Sequence, residues 1–215
     1  MSKPIPFSTE MVRAILDGRK TQTRRVVKPQ PENVLVPDEG FVNCEPDGTV
    51  WGRQRVFCGN PKNPSVDAEH IVFPAKCPYP PGTILWVKET WQEGYNPDNI
   101  DKNGDIPLGY CYKASNHDIS AEFSLGRWRS PRFMPKAAAR LWLEVKNVRV
   151  ERIKEISNED ILAEGINDLG SYGANYDYFA NEIWNPLYAK RGYPWENNDW
   201  VFVYEFMRRE NYGKN

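Results

Sequence analysis

The sequence lacks the short motifs that most directly indicate a cofactor, a nucleotide or a metal. It contains no Gly-x-Gly-x-x-Gly turn, no P-loop and no Gly-x-Ser-x-Gly nucleophile elbow. Its 4 cysteines include no Cys-x-x-Cys pair. The long spacings among Cys44, Cys58, His70 and Cys77 disfavour a zinc site. We therefore expect neither a metal nor a bound cofactor.

Long apolar runs and an excess of one charge are also missing. No stretch approaches the length of a membrane span, and the opening Met1-Ser2-Lys3-Pro4 lacks the apolar segment of a signal peptide. The formal net charge is −1, so no global basic surface indicates nucleic-acid binding. We expect a cytoplasmic protein with reduced cysteines and no membrane partner, and nothing identifies a protein partner.

Aromatic residues, in contrast, are abundant. The chain has 8 Trp, 11 Tyr and 9 Phe, and such side chains fill cores or stack on bases. A run at 127–136 interleaves aromatic and basic residues. This pattern fits base stacking by Trp128 and phosphate contact by Arg132. The alternative is a loop whose apolar residues cover the core.

The periodicity of the chain predicts more strands than helices. Helices are expected at 8–17, 157–164 and 176–190, and strands at 23–27, 83–91, 139–153 and 200–206. The apolar positions of the strand at 139–153 change phase near Lys146-Asn147, as a β-bulge or corner requires. With no βαβ alternation, the pattern predicts a mainly β (α+β) fold with peripheral helices, built as a small, partly open β-barrel.

Two segments interrupt this pattern, at about 30–80 and 93–127. Both are rich in Pro, Gly, Asn and Asp, and we interpret them as long, mostly irregular insertions in a single domain of residues 1–215. The first contains a hairpin signal at Asp47-Gly48. The second contains a possible strand at 110–112.

The most informative segment is Gly18-Arg19-Lys20-Thr21-Gln22-Thr23-Arg24-Arg25, which follows the first helix. One interpretation is a charged turn, because basic residues favour a helix C-terminus. The other is a lysine of lowered pKa, Lys20, that activates the hydroxyl of Thr23. Strict strand alternation would separate these two side chains, so the second interpretation requires Lys20 to lie in the turn before the strand.

Two carboxylates accompany this segment. Glu164 is expected in the last turn of the helix at 157–164, where a solvated surface role is the simple alternative to a functional one. Glu89 shares a strand face with Leu85, Val87 and Trp91. Because an unpaired buried carboxylate is costly, Glu89 should pair with an arginine or lysine, or line a wet cavity.

In the Gly18–Arg25 segment the chain resembles the ASCH domain family, whose fold is PUA-like. The resemblance continues through Pro81–Trp91, 130–140, 156–166 and 200–206, and the whole pattern is similar to the longer ASCH proteins of bacteriophages and prophages. It does not extend over the two predicted insertions. It implies a β-barrel that presents a cleft to RNA or to a modified nucleoside. It also implies that the protein acts in a bacterial host or is encoded by a phage.

One branch of this family contains small N4-acetylcytidine amidohydrolases. The resemblance places their catalytic lysine, threonine and glutamate at Lys20, Thr23 and Glu164. It implies that Lys20 is the general base, that Thr23 is the nucleophile, and that Glu164 is the acid or the group that orients the lysine. Arg25 or backbone N–H groups would hold the oxyanion. This chain is about twice as long as those small enzymes, and Arg24 stands where they have an apolar residue.

The expected function is therefore hydrolysis of an acylated nucleobase or nucleoside. The alternatives are a non-catalytic RNA-binding module and a ribonuclease, for which His70 and His117 are the only imidazoles. The expected substrate- or RNA-binding residues are Thr21, Arg25, Glu89, Trp91, Trp128 and Arg132.

Overall fold

The computed structural model describes residues 2–30, 42–44, 46–58, 65–72, 76–95, 100–115 and 126–210. Its contacts divide the chain into two compact units. Unit 1 comprises Met1–Arg19, Ile84–Leu143 and Arg208–Asn215, and unit 2 comprises Lys20–Thr83 and Glu144–Met207. The assignment of the whole chain to one ASCH-like domain stays a prediction.

The described strands are numbered along the chain. They are β1 Ser2–Pro6, β2 Gln22–Val26, β3 Val42–Cys44, β4 Val50–Cys58, β5 Ser65–Val72, β6 Ile84–Lys88, β7 Trp91–Tyr95, β8 Leu108–Tyr112, β9 Trp142–Arg152 and β10 Trp200–Arg208. The α-helices are α1 Thr9–Leu16, α2 Asn158–Ala163, α3 Tyr172–Tyr178 and α4 Asn185–Tyr188. A mainly β fold with some helices is therefore confirmed.

Unit 1 contains a parallel pair, β1 and β6, and an antiparallel hairpin of β7 and β8. Helix α1 begins after Ser8, whose side chain accepts a hydrogen bond from the Met11 N–H. It ends before Gly18, whose φ of +76° is the left-handed conformation that glycine adopts readily. These two caps confirm the predicted helix.

In unit 2 the strands form the row β2-β10-β9-β3-β4-β5. Strands β2 and β5 lie at its ends, so the described strands of this unit do not form a closed barrel. Helices α2 to α4 follow β9 along the chain, and their apolar residues share a core with β2 and β10. This core includes Ile161, Phe179, Trp184, Trp195 and Val203.

Strand β9 shows the predicted change of phase. Leu143 and Val145 are buried, Lys146 and Asn147 are both exposed, and burial resumes at Val148. The expected change of face is confirmed.

The interpretation of 30–80 as mostly irregular is wrong for its described part. Strands β3, β4 and β5 form an antiparallel meander, and β4 pairs with β5 from Trp51–Val72 to Cys58–Ser65. Ladder hydrogen bonds supply stability that the turn-rich composition does not indicate. The predicted hairpin at Asp47-Gly48 is confirmed, with Gly48 at a φ of +87°.

The second segment and the strand before it also differ from expectation. The predicted strand at 83–91 is two strands, because β6 ends at Lys88 and Trp91 begins β7, which pairs with β8. The possible strand at 110–112 is confirmed as part of β8. Strand β1 was not predicted, because Pro4 and Pro6 argue against a strand. No helix in the described ranges is long and apolar enough to cross a membrane.

Candidate functional site

Two short segments of unit 2 bring Lys20 and Glu164 together. Lys20 precedes β2, and Glu164 is the C-cap of α2, which Ser157 opens by accepting a hydrogen bond from the Asp160 N–H. The Thr21 N–H donates to the Ala163 carbonyl over 2.9 Å and so joins the two segments. Lys20 therefore lies in the turn before the strand, as the functional interpretation requires.

The Lys20 amine is held by three acceptors. Its Nζ lies 2.7 Å from Glu164 Oε2, 2.9 Å from the Glu164 carbonyl and 2.9 Å from the Gln22 carbonyl. The side-chain exposure is 0% for Lys20 and 3% for Glu164. The two groups thus form a buried ion pair, which an isolated solvated turn would not.

The surroundings of Lys20 act on its pKa in opposite directions. Burial lowers the pKa, because the amine loses its hydration, and the positive charges of Arg25 and Arg24 lower it further. The charge and hydrogen bond of Glu164 raise it. The net effect is a pKa below the ordinary value of 10.5. A lowered pKa increases the neutral fraction of a lysine, which is the form that accepts a proton.

Arg24 also binds the other oxygen of Glu164. Its guanidinium is 3.3 Å from Glu164 Oε1, 2.7 Å from Asp160 Oδ2 and 2.7 Å from Glu151 Oε1. The exposure of the Arg24 side chain is 1%. Arg24 therefore fixes the orientation of the Glu164 carboxylate.

Arg149 shares two of these carboxylates and extends the network toward solvent. It binds Glu151, Asp160 and Glu205. Burial raises the pKa of Asp160, but the hydrogen bond from Gln22 and the charges of Arg24 and Arg149 outweigh this and hold the pKa below 3.8. The result is a continuous network of ion pairs around the Lys20–Glu164 contact.

Thr23 and Arg25 lie on the opposite face of β2 from Arg24. The register pairs Thr23 with Tyr204 and Arg25 with Phe202, and neighbours across a ladder share a face. The Thr23 side chain is buried, and no hydrogen bond joins its hydroxyl to Lys20 or Glu164 in the described part of the chain. Arg25 lies two residues further along the same face and donates to the Tyr188 hydroxyl over 3.3 Å.

The basic residue that pairs with Glu89 is Arg140. Both residues belong to unit 1, and Arg140 Nε and one terminal nitrogen each lie 2.9 Å from a Glu89 oxygen. Glu89 is fully buried, so burial raises its pKa while Arg140 opposes the shift. The Arg140 guanidinium stacks 4.0 Å from the centre of the Tyr112 ring. The expectation of a basic partner is confirmed.

The aromatic binding candidates of unit 1 differ in exposure. Trp91 is buried in a small core with Tyr112 and Met134, whereas Trp128 is 38% exposed. Arg132 is exposed as well. Trp128 and Arg132 are thus available to a ligand, and the ring of Trp91 is packed inside the unit.

Possible metal ligands do not converge in the described ranges. No three His, Cys, Asp or Glu side chains there are placed to hold a metal ion. Cys44 and Cys77 are buried thiols. The side chains of Cys58 and His70, and the whole of His117, lie outside the described residues.

Sequence reasoning missed the ion-pair network. Strand alternation places Gln22 and Arg24 on one face, and Arg149 and Glu151 alternate with buried valines in β9. These alternations were the available signal for a polar face. They do not indicate which charges meet, because the partners are far apart in sequence.

Comparison with known proteins adds no relative. No family model, no curated protein and no solved structure matches this chain. The ASCH resemblance therefore rests on the five sequence segments alone.

Proposed function

We propose that this chain is an ASCH-like protein with a PUA-like core that hydrolyses an acylated nucleobase or nucleoside, such as N4-acetylcytidine. The observation that carries the proposal is the buried contact of 2.7 Å between Lys20 Nζ and Glu164 Oε2. These are two of the three residue types that the family resemblance requires. The third, Thr23, lies three residues after Lys20, in β2.

The proposed reaction proceeds in two halves. Neutral Lys20 takes the proton of the Thr23 hydroxyl while the Thr23 oxygen attacks the acyl carbonyl. Arg25, which lies on the same face of β2 as Thr23, stabilises the oxyanion that forms. The lysine ammonium then protonates the departing base nitrogen, which leaves an acyl ester on Thr23. Water, activated by Lys20, hydrolyses this ester to the free acid. Glu164 orients the amine throughout.

The absence of a direct Thr23–Lys20 hydrogen bond is compatible with this scheme. Catalytic hydrogen bonds are often long or poorly aligned before substrate binds and tighten in the complex. Arg24 supports the scheme indirectly, because it holds Glu164 Oε1 and leaves Oε2 for the lysine.

The test is the release of cytidine from N4-acetylcytidine, measured by chromatography. We expect Thr23→Val to lower turnover about a thousandfold or more, and Thr23→Ser to keep measurable activity. Thr49→Val, which removes another hydroxyl of unit 2, is the matched control and should retain wild-type turnover. Full activity of Thr23→Val excludes the assigned nucleophile. No turnover by the wild-type protein excludes this substrate.

A second variant separates base catalysis from charge pairing. Lys20→Arg keeps a positive charge opposite Glu164 but cannot lose its proton near neutral pH. We expect a folded, inactive protein. Wild-type turnover by Lys20→Arg contradicts the role of general base.

RNA binding by unit 1 is the second candidate function, and the exposed surface of residues 126–136 favours it. Phe133 is 70% and Trp128 38% exposed, and both stand among exposed basic side chains. Exposed rings stack on unpaired bases, while arginines contact phosphates. The basic members of this surface are Arg127, Arg129, Arg132 and Lys136.

Fluorescence anisotropy with a single-stranded oligoribonucleotide over a salt series tests this candidate. Phe133→Ala should weaken binding with little change in salt dependence, and Arg132→Gln should reduce the salt slope by about 1. Lys154→Gln removes an exposed positive charge elsewhere and is the control. Absence of binding, or binding independent of salt, refutes the candidate.

A further inference from the structure

A polar cavity of about 320 Å³ opens in unit 2 beside the start of β2. This volume is at the lower end of the range for small-molecule sites. Neither Lys20 nor Glu164 is among its lining residues. Its lining consists of Thr21, Gln22, Lys146, Asp160, Glu205 and Phe206.

The side-chain amide of Gln22 has a fixed orientation in this wall. Its nitrogen lies 2.6 Å from Asp160 Oδ1 and 3.2 Å from the Asp160 carbonyl, and both are acceptors. The reverse orientation would place oxygen against oxygen, so Oε1 must be the other branch of the amide. This oxygen is buried and has no hydrogen-bond donor among the described residues. A buried acceptor without a donor is destabilising, so the site favours a ligand that donates a hydrogen bond.

Glu205 supplies a second acceptor next to Gln22. The two residues are direct neighbours across the β2–β10 ladder, so their side chains share a face. Oε1 of Glu205 accepts from Arg149 and Asn147, whereas Oε2 has no partner in the described part of the chain. Two acceptors with spare capacity, one of them on a carboxylate, therefore stand side by side at this cavity.

The remaining lining selects the kind of donor. The Lys146 amine is 2.8 Å from Glu144 and is thereby engaged. Phe206 follows Glu205 in β10, so it lines the cavity with its backbone while its side chain faces away from Glu205 and Gln22. In the described residues no three His, Cys, Asp or Glu side chains are arranged for a metal. An organic cation satisfies these conditions.

We propose that this cavity binds a planar organic cation with two N–H donors on one edge, an amidinium or guanidinium group, through Gln22 Oε1 and Glu205 Oε2. The inference goes beyond the proposed hydrolysis and does not depend on it. The charge of the ligand is recognised by Glu205, and its second N–H by the orphan amide oxygen of Gln22.

The probe is benzamidine, titrated into the full-length protein by calorimetry, with benzamide as its neutral counterpart. We expect saturable binding of benzamidine and at least tenfold weaker binding of benzamide. Glu205→Gln and Gln22→Met should each weaken benzamidine binding about tenfold or more, because each removes one acceptor at nearly constant volume. Glu182→Gln, an exposed carboxylate of the same unit, is the control for charge and should bind like wild type.

A measurement on the unaltered protein guards against loss of folding in the variants. In an amide NMR spectrum the side-chain NH₂ signals of Gln22, assigned by their absence from Gln22→Met, should shift as benzamidine is added. No saturable binding, equal binding of benzamide, or wild-type affinity in a folded Glu205→Gln protein overturns the proposal. Shifts confined to other residues overturn it as well.

Discussion

Replacing Arg24 with methionine removes the guanidinium that holds three carboxylates together. Its side chain is 1% exposed and lies 2.7 Å from Glu151, 2.7 Å from Asp160 and 3.3 Å from Glu164. Methionine fills a similar volume, so lost charge pairing and not a cavity dominates the effect. Removing one partner of a buried ion pair typically costs about 3–5 kcal/mol. We expect the free energy of unfolding to fall by about this amount.

Arg149→Met is the matched comparison. Arg149 also binds three carboxylates and shares Glu151 and Asp160 with Arg24, but its side chain is 23% exposed and its third partner, Glu205, is 42% exposed. Water replaces part of what is lost, so we expect a cost of about 1–2 kcal/mol. The two variants remove the same charge, and their difference isolates burial and the contact with Glu164.

Urea unfolding followed by tryptophan fluorescence measures both values. Equal destabilisation of the two variants, within about 0.5 kcal/mol, refutes the argument that burial of Arg24 sets the magnitude. A stable Arg24→Met protein refutes it more strongly, because three carboxylates would then tolerate the loss of their buried partner.

Three further predictions concern single titratable groups. The pKa of Asp160 is held below its ordinary value of 3.8. Its carboxylate therefore stabilises the fold above pH 3.8, and this stabilisation is lost as the pH falls through the lowered pKa. Asp160→Asn should abolish this loss of stability in acid, measured by urea unfolding. Because the pKa of Lys20 is lowered from 10.5, kcat/KM for acylcytidine hydrolysis should rise with pH through that lowered value and then level off; a flat profile contradicts the base role. Arg140→Met should cost about 3 kcal/mol or more at neutral pH and Glu89→Gln about 1 kcal/mol or less, because Glu89 is fully buried and the Arg140 side chain is 25% exposed; the reverse order in urea unfolding contradicts this.

Local patterns predicted the elements whose causes are local. The phase change in β9 is visible because Leu143 and Val145 occupy odd positions and Val148 an even one. Helix α2 is visible because Ser157 caps it and Ile161 packs inward. Such signals lie within one or two turns of chain, so periodicity and capping rules suffice.

Pairing over long distances limited the remaining predictions. Strands β4 and β5 lie in turn-rich sequence and are stabilised by their mutual ladder, which composition does not reveal. The contact between Lys20 and Glu164 joins residues 144 positions apart, and only the family resemblance suggested it. The position of Arg24 between Asp160 and Glu164 was not predicted. Alternation shows on which face of a strand a side chain lies, but not which distant residue it contacts.

The environment of Lys20 provides a final test of whether its pairing serves stability or chemistry. Burial and two nearby arginines act against the ammonium, and Glu164 is the acceptor that compensates its charge. Glu164→Leu therefore leaves a buried ammonium without its carboxylate and should cost about 3–5 kcal/mol. The double variant Lys20→Met/Glu164→Leu removes both charges, so it should be more stable than Glu164→Leu alone. Both proteins should be inactive toward N4-acetylcytidine. If the double variant is instead the less stable of the two by urea unfolding, the lysine stabilises the fold even without its carboxylate, and Glu164 is not needed to compensate a costly buried charge.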